Sequence, residues 1–192
     1  DKLNNLVLSF AVRNLFISKE LAIQKIFRAR WNASLVRAAW SVCISSSVAN
    51  LSPDDALLGG LFQDIGSLPL LAELENWPQL SRAPEDLNAL CDQLSGPIGT
   101  VLLSTWKQPS HLVDCARYRC LDTTAEVQTT AQLYQVVQIA EAMQHSDREQ
   151  ALSKLALAQQ LFSDLNPEMI AQSYKQQVNL WLVLLGVKTR IA

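Results

Sequence analysis

Apolar side chains recur every three or four residues along most of this chain, which is the spacing of amphipathic helices. The repeat is clear in seven segments: residues 3–15, 21–48, 56–65, 98–106, 127–140, 152–162 and 170–185. No segment alternates apolar and polar residues as a half-buried β-strand does. The pattern therefore predicts an all-α fold, a bundle of several helices.

Residues that favour helix ends place some of the boundaries. Ser52 before Pro53 is a predicted N-cap, and Asn166 is another before the last helix. We expect the helix that starts at residue 21 to run to about residue 48, with a break near Trp31. A further break is expected at Pro97, because proline lacks the amide hydrogen that an interior helical position donates.

The most informative stretch is the apolar segment 56–68, which carries a single carboxylate, Asp64. Asp64 lies on the border of the apolar face formed with Leu61 and Ile65, where an unpaired carboxylate is costly. Gly66 follows, and two roles are open for it. It either ends the helix in a left-handed conformation or lets a neighbouring helix approach closely.

Composition narrows the possible functions. The 192 residues are 49% hydrophobic with a formal net charge of −2, so a compact domain is expected, with no general attraction to nucleic acid or anionic lipid. The cysteines form no CxxC pair and read as reduced, mostly buried thiols: Cys43, Cys91, Cys115 and Cys120. No apolar run of 18–20 residues and no export signal is recognised, so we expect a cytoplasmic location.

Three segments resemble one protein family. Residues 61–66, Leu-Phe-Gln-Asp-Ile-Gly, resemble the His-Asp-Ile-Gly signature of the HD superfamily of metal-dependent phosphohydrolases, with glutamine in place of histidine. Residues 31–39, which begin Trp-Asn-Ala-Ser and end Ala-Ala, resemble the Trp-x-His-Ser…Ala helix of its HDOD branch (HD-related output domain). Residues 98–109, Ile-Gly-Thr-Val-Leu-Leu-Ser-Thr-Trp-Lys-Gln-Pro, resemble the Val-Gly-x-x-Leu-Leu-x-x-Trp-x-x-Pro segment of that branch.

This resemblance implies a domain organisation and a function. An HDOD or HD-like helical core is expected over residues 1–145, with the helices of 146–192 packed on the same domain. Members of the family usually carry several more helices ahead of this point, so the chain is expected to lack them. HDOD domains commonly act in bacterial signal transduction, and the resemblance implies a cytoplasmic regulatory module with protein partners.

The residues that stand at the family's metal-ligand positions do not suit a metal. The histidine positions fall at or near Ala33, Gln63, Ser95, Arg119 and Cys120, and Asp64 alone is kept. The whole chain has two histidines, His111 and His145, and one carboxylate without imidazole partners does not hold a divalent cation against water. We therefore predict no catalytic residue, no metal and no cofactor. We call these six positions (Ala33, Gln63, Asp64, Ser95, Arg119 and Cys120) the vestigial pocket.

Alternatives remain open at this point. Asp64 either caps a neighbouring helix or contacts a cation, and Arg119 is the candidate cation because guanidinium binds carboxylate well. The alternative functions are a metal-dependent phosphohydrolase, or a nucleotide-sensing domain that uses the vestigial pocket.

Other polar and aromatic residues have simpler interpretations. His111 is predicted to be an exposed turn residue, and His145 a residue at a helix end. The basic run is interpreted as a solvated face, with an acidic partner as the alternative: Lys25, Arg28, Arg30 and Arg37. The tryptophans are expected to be core or interface anchors: Trp31, Trp40, Trp77, Trp106 and Trp181.

Overall fold

The computed structural model describes residues 20–77, 84–119, 132–162 and 166–187. Within these ranges the secondary structure is helical throughout, with no strand, as predicted. The helices are α1 (Leu21–Ser45), α2 (Pro53–Phe62), α3 (Ser67–Leu74), α4 (Pro84–Thr105), α5 (Ser110–Arg117), α6 (Leu133–Ala142), α7 (Arg148–Ser153), α8 (Ala156–Leu161) and α9 (Pro167–Leu184).

The centre of the bundle is the close pair of α1 and α2. Ala38 and Ala39 of α1 are fully buried, and Gly60 of α2 faces the backbone at Ala38. A Cβ at Gly60 would lie 2.5 Å from the Ala38 Cα, a separation that real Cβ atoms do not adopt. Small residues on both helices therefore allow the two backbones to approach closely.

The two helix starts that were predicted from capping residues, Ser52 and Asn166, agree with the structure. Ser52 accepts a hydrogen bond from the Asp55 amide, and Pro53 is the first residue of α2. Asn166 accepts hydrogen bonds from the amides of Glu168 and Met169 at the start of α9.

Both predicted helix breaks are wrong. α1 continues through Trp31, because buried residues lie on both sides of it along the same helix. α4 continues through Pro97, so one 22-residue helix replaces the two that were expected. Its buried positions before and after the proline, Cys91 and Leu103, contact the same core, and tertiary packing outweighs the lost hydrogen bond.

Gly66 takes the second of its two predicted roles. Its φ of −66° is right-handed, so it does not form a left-handed helix end. A Cβ there would lie 2.1 Å from the Ser95 carbonyl oxygen and 2.4 Å from the Gly99 amide nitrogen. The turn between α2 and α3 therefore lies directly against the backbone of α4.

The last helix, α9, contacts α1 and the residues just after it through aromatic and hydroxyl groups. The Tyr174 hydroxyl of α9 lies 2.7 Å from the Ser47 Oγ, and its ring packs edge-on against Trp40. The division of the chain at residue 145 stays a prediction.

Two tryptophans do not take the first of the two roles expected for them, core or interface anchor. Trp77 and Trp106 follow the ends of α3 and α4 and are 48% and 44% exposed, whereas Trp40 is buried. The described cysteines, Cys43, Cys91 and Cys115, are buried and unpaired as predicted, while Cys120 lies outside the described residues.

One described segment is long and apolar enough to cross a membrane, judged by length and composition alone. It is Pro53–Leu74, which spans α2 and α3, and 78% of its apolar window is buried inside the protein. The sequence expectation that no such run exists was therefore wrong. The core helices of soluble proteins, which are mostly buried, pass the same test of length and composition.

Candidate functional site

Asp64 lies in the short turn between α2 and α3, and its side chain is only 6% exposed. The turn is closed by its own hydrogen bonds, since the Ser67 amide and hydroxyl both donate to the Asp64 carbonyl oxygen. The close contact of Gly66 with α4 holds this turn against that helix. The local fold thus buries a carboxylate between α1 and α4.

Both oxygens of the Asp64 carboxylate are occupied by donors from other parts of the chain. Arg30 of α1 donates through Nη1 to Oδ2 at 3.1 Å. The Nε of Arg119, just after α5, lies 3.0 Å from Oδ1, and the Ser95 hydroxyl of α4 donates to the same oxygen at 2.9 Å. Two guanidinium groups and a hydroxyl therefore compensate the buried charge.

A second carboxylate, Asp92 of α4, contacts the same two arginines from the solvent side. Its Oδ1 lies 2.9 Å from Arg30 Nη2 and 3.1 Å from Arg119 Nη2. Arg119 also donates to the Asp92 carbonyl oxygen, and Arg30 to the Asn88 carbonyl oxygen, both at 2.9 Å. We name Arg30, Asp64, Asp92, Ser95 and Arg119 the two-arginine cluster.

The electrostatics of the cluster favour the ionised carboxylate. Burial acts to raise the pKa of Asp64, but the charges of Arg37, Arg119 and Arg30 and the hydrogen bond from Ser95 bring that pKa below its usual value. Burial likewise acts to lower the pKa of Arg30, and Asp64 and Asp92 more than offset this, so it stays raised. Asp64 and Arg30 are therefore both charged at neutral pH.

The donor set at this position does not fit a divalent cation. Two guanidinium groups lie within 3.1 Å of the Asp64 carboxylate, and a cation placed there would meet two positive charges. Within the four described ranges, no three His, Cys, Asp or Glu side chains gather as a ligand set. His111 is 45% exposed and lies 3.4 Å from Asp55, and His145 is exposed after α6, as was predicted for both histidines.

The structure brings three residues of the vestigial pocket together: Asp64, Ser95 and Arg119. The predicted contact of Asp64 with Arg119 is confirmed, and the alternative role of Asp64 as a helix cap is not what the structure has. Gln63 is buried next to Asp64 in the chain, and its side-chain oxygen has no hydrogen-bond partner in the described structure. Ala33 lies half-buried in α1, and Cys120 falls outside the described residues.

Sequence reasoning missed Arg30 and Asp92. A signal was present, because Arg30 is three residues before Ala33 and Asp92 is three residues before Ser95. Residues three apart share a helix face, so a charged residue one turn from each vestigial position is a candidate member of the site.

The interpretation of the basic run as a solvated face is wrong for two of its four residues. Lys25 and Arg28 are exposed, but Arg30 is 11% exposed and Arg37 only 1%. Arg37 contacts Glu141 of α6 through Nε and the Gly60 carbonyl oxygen through Nη1. Helical spacing directs these two arginines to the interior, where carboxylates of distant segments compensate them.

The fold and the position of Asp64 define the class of protein, an all-α HD-like bundle. A family model described as HDOD domain matches residues 1–120, which is more than half of the chain. The chain belongs to the HDOD domain family.

Among solved structures, the chain is similar to the crystal structure of a protein named "Putative metal-dependent phosphohydrolase" from Shewanella amazonensis SB2B. The TM-score is 0.71 and the sequence identity is 22%, and the match covers 94% of this chain and 68% of the other. At this identity the likeness shows a common fold. No curated protein matches the chain.

Proposed function

We propose that the chain is a non-catalytic regulatory module of bacterial signal transduction that acts in the cytoplasm by binding protein partners. The observation that carries the proposal is the occupation of Asp64 by Arg30 and Arg119. In the HD superfamily a carboxylate at this position serves a metal, and here two permanent cations neutralise it instead. The helical scaffold is kept and the metal chemistry is replaced by internal ion pairs, so surfaces are left to carry the function.

The alternative comes from the name of the solved structure, which describes a metal-dependent phosphohydrolase. That activity requires a metal to acidify water and to stabilise the charge on the phosphate. The donor set around Asp64 argues against it, since Gln63, Ser95 and Arg119 stand where the family resemblance implies imidazole ligands.

A direct test measures metal content and hydrolysis on the same purified protein. We expect no bound Mn, Fe, Zn or Mg by elemental analysis, and hydrolysis of phosphate monoesters and diesters no faster than in buffer with added Mn²⁺ or Mg²⁺. Asp64→Asn is the matched variant, because it removes the charge and keeps the shape. Turnover in the native protein that this variant abolishes would contradict the proposal.

The regulatory part of the proposal is tested by capturing partners with the full-length protein from the cytosol of its own organism. We expect a defined protein partner that binds the native protein and also a folded Arg117→Ala variant. No protein retained above an unrelated control of equal charge would argue against a role in protein binding.

A further inference from the structure

We propose that Arg30 and Arg119 form a binding site for the phosphate group of a small soluble molecule, and that the Asp92 carboxylate occupies the ligand position in the structure described. This binding function goes beyond the proposed regulatory role.

The solvent exposure of the charged side chains in the two-arginine cluster increases from Asp64, through the two arginines, to Asp92. The Asp64 side chain is 6% exposed, those of Arg30 and Arg119 are 11% and 12%, and that of Asp92 is 57%. Asp64 therefore lies at the buried end of the site, and Asp92 lies at the end that faces solvent. A ligand from solution would replace Asp92 and leave Asp64 in place.

The geometry of the donors suits a phosphate better than it suits one carboxylate oxygen. The Nη2 atoms of Arg30 and Arg119 both lie within 3.1 Å of the same Asp92 oxygen, so their hydrogen bonds converge on a single point. A phosphate monoester presents three terminal oxygens, which two planar guanidinium groups bind from two sides. The Nε of Arg30 is buried and has no partner in the described structure, so this guanidinium is not fully satisfied by its present contacts.

The charges favour an anion at the same point. Arg30 and Arg119 place two positive charges beside the Asp92 carboxylate, and an anion that replaces this carboxylate would meet both of them. Arg37 adds a positive charge near Asp64, and its own direct ion pair is with Glu141. Asp92 is tethered to α4 and competes with any ligand, which makes it an internal competitor that lowers the apparent affinity.

Asp92→Asn tests the proposal by removing the competing charge. We expect calorimetry to show that inorganic phosphate binds this variant about tenfold more tightly than it binds the native protein. Asp114→Asn is the matched control, because it makes the same change in net charge at an exposed pair with Arg117. Phosphate binding that is no tighter in Asp92→Asn than in Asp114→Asn would overturn the proposal.

A second variant separates ligand binding from a purely structural cluster. Arg30→Lys keeps the charge and loses the planar pair of donors, and in the Asp92→Asn background it should return phosphate affinity to the native level or below. If Asp92→Asn does not fold, thermal denaturation of the native protein still tests the proposal. Replacing chloride by phosphate at equal ionic strength should raise its melting temperature more than that of Arg30→Lys, because phosphate also stabilises proteins without a specific site, and equal increases would overturn the proposal.

Comparison of ligands distinguishes the source of the phosphate. Adenosine monophosphate that binds at least as tightly as inorganic phosphate supports a soluble phosphate ligand. Binding to vesicles that contain phosphatidic acid, without binding of either soluble ligand, would overturn the proposal. Hydrolysis of the bound ester would contradict the proposed non-catalytic function and leave the binding site intact, so the two can fail separately.

Discussion

Arg30 and Arg37 lie on the same face of α1, two helical turns apart, yet they have different surroundings. Arg37 is 1% exposed and joins α1 to Glu141 of α6 and to the Gly60 carbonyl oxygen of α2. Arg30 is 11% exposed and contacts Asp64 and Asp92, the second of which faces solvent. The helix directs both side chains inward, and the segments that pack on α1 decide what each one does.

We call the Arg37–Glu141 pair the closed pair, because its guanidinium is buried, and the pair of Arg30 with Asp92 the open pair, because its carboxylate faces solvent. A buried guanidinium such as Arg37 has lost its hydration, and removal of either partner leaves a charge or a carbonyl group unsatisfied. The guanidinium of Arg30 reaches an exposed carboxylate whose place water or a ligand can take. We infer that the first arginine is structural and that the second has the accessibility a binding site needs.

The largest expected loss of stability is at Gly66, whose close contact with α4 holds the Asp64 turn in place. Gly66→Ala would place a Cβ 2.1 Å from the Ser95 carbonyl oxygen, so α4 must move and the free energy of unfolding should fall by at least about 3 kcal/mol in urea denaturation. Gly96→Ala is the control, because its Cβ would meet only the Ala116 carbonyl oxygen, at 3.1 Å. Equal losses in both variants would contradict the role given to Gly66.

Arg37→Met tests the closed pair. The variant keeps much of the side-chain volume and leaves Glu141 and the Gly60 carbonyl oxygen without their cation, so the free energy of unfolding should fall by about 3 kcal/mol. Glu141 is 38% exposed and recovers part of its hydration, which limits the loss. Lys25→Met on the exposed side of α1 should change stability by less than about 0.5 kcal/mol.

Asp64→Asn should cost about 2 kcal/mol at neutral pH, because two guanidinium groups lose their shared counter-ion. The folded-state pKa of Asp64 is lowered, so its ionic contribution is complete above its unfolded pKa, about 3.9, and is lost as the pH falls through the folded pKa. The stability difference between native protein and variant should therefore narrow below about pH 4, measured by urea denaturation across pH. A difference that widens on acidification would show that another group dominates.

Arg30→Met should cost about 1 kcal/mol, less than the change at Arg37, because Asp64 keeps its contacts with Arg119 and Ser95. A loss as large as that of Arg37→Met, in the same denaturation experiment, would remove the distinction between the open and the closed pair.

The smallest effect is expected at an ordinary surface pair. Arg117 and Asp114 lie 2.7 Å apart, and their side chains are 49% and 28% exposed. Arg117→Ala should change the free energy of unfolding by less than about 0.5 kcal/mol, since solvent screens the pair. A larger loss would mean that the end of α5 supports the neighbouring Arg119.

Helix type and several helix starts were predictable from local sequence. The capping residues Ser52 and Asn166 are at the starts of α2 and α9, because a side chain that satisfies the first amides acts within one helical turn. The breaks expected at Trp31 and Pro97 were wrong, since each helix is held on both sides of the position by core contacts from distant segments.

The candidate site was predictable in part. A carboxylate at the edge of an apolar face indicated that Asp64 needs a partner, and family resemblance pointed to Arg119, which the structure confirms. Arg30 was assigned to a solvated face because its partners, Asp64 and Asp92, lie 34 and 62 residues away in the chain. Local pattern gives no information about which distant carboxylates meet a given arginine.

The sequence by itself determined that this chain is helical, that it has the HDOD motifs, and that Asp64 lacks imidazole neighbours at the family's ligand positions. These properties depend on residue type and on spacing within a few turns. Only the tertiary structure decided that Arg30 and Arg119 share Asp64 and Asp92, and that Arg37 is enclosed while Arg30 reaches solvent. Those properties depend on how α1, α4 and the end of α5 pack, because charge compensation requires contact within a few ångströms between groups far apart in the chain.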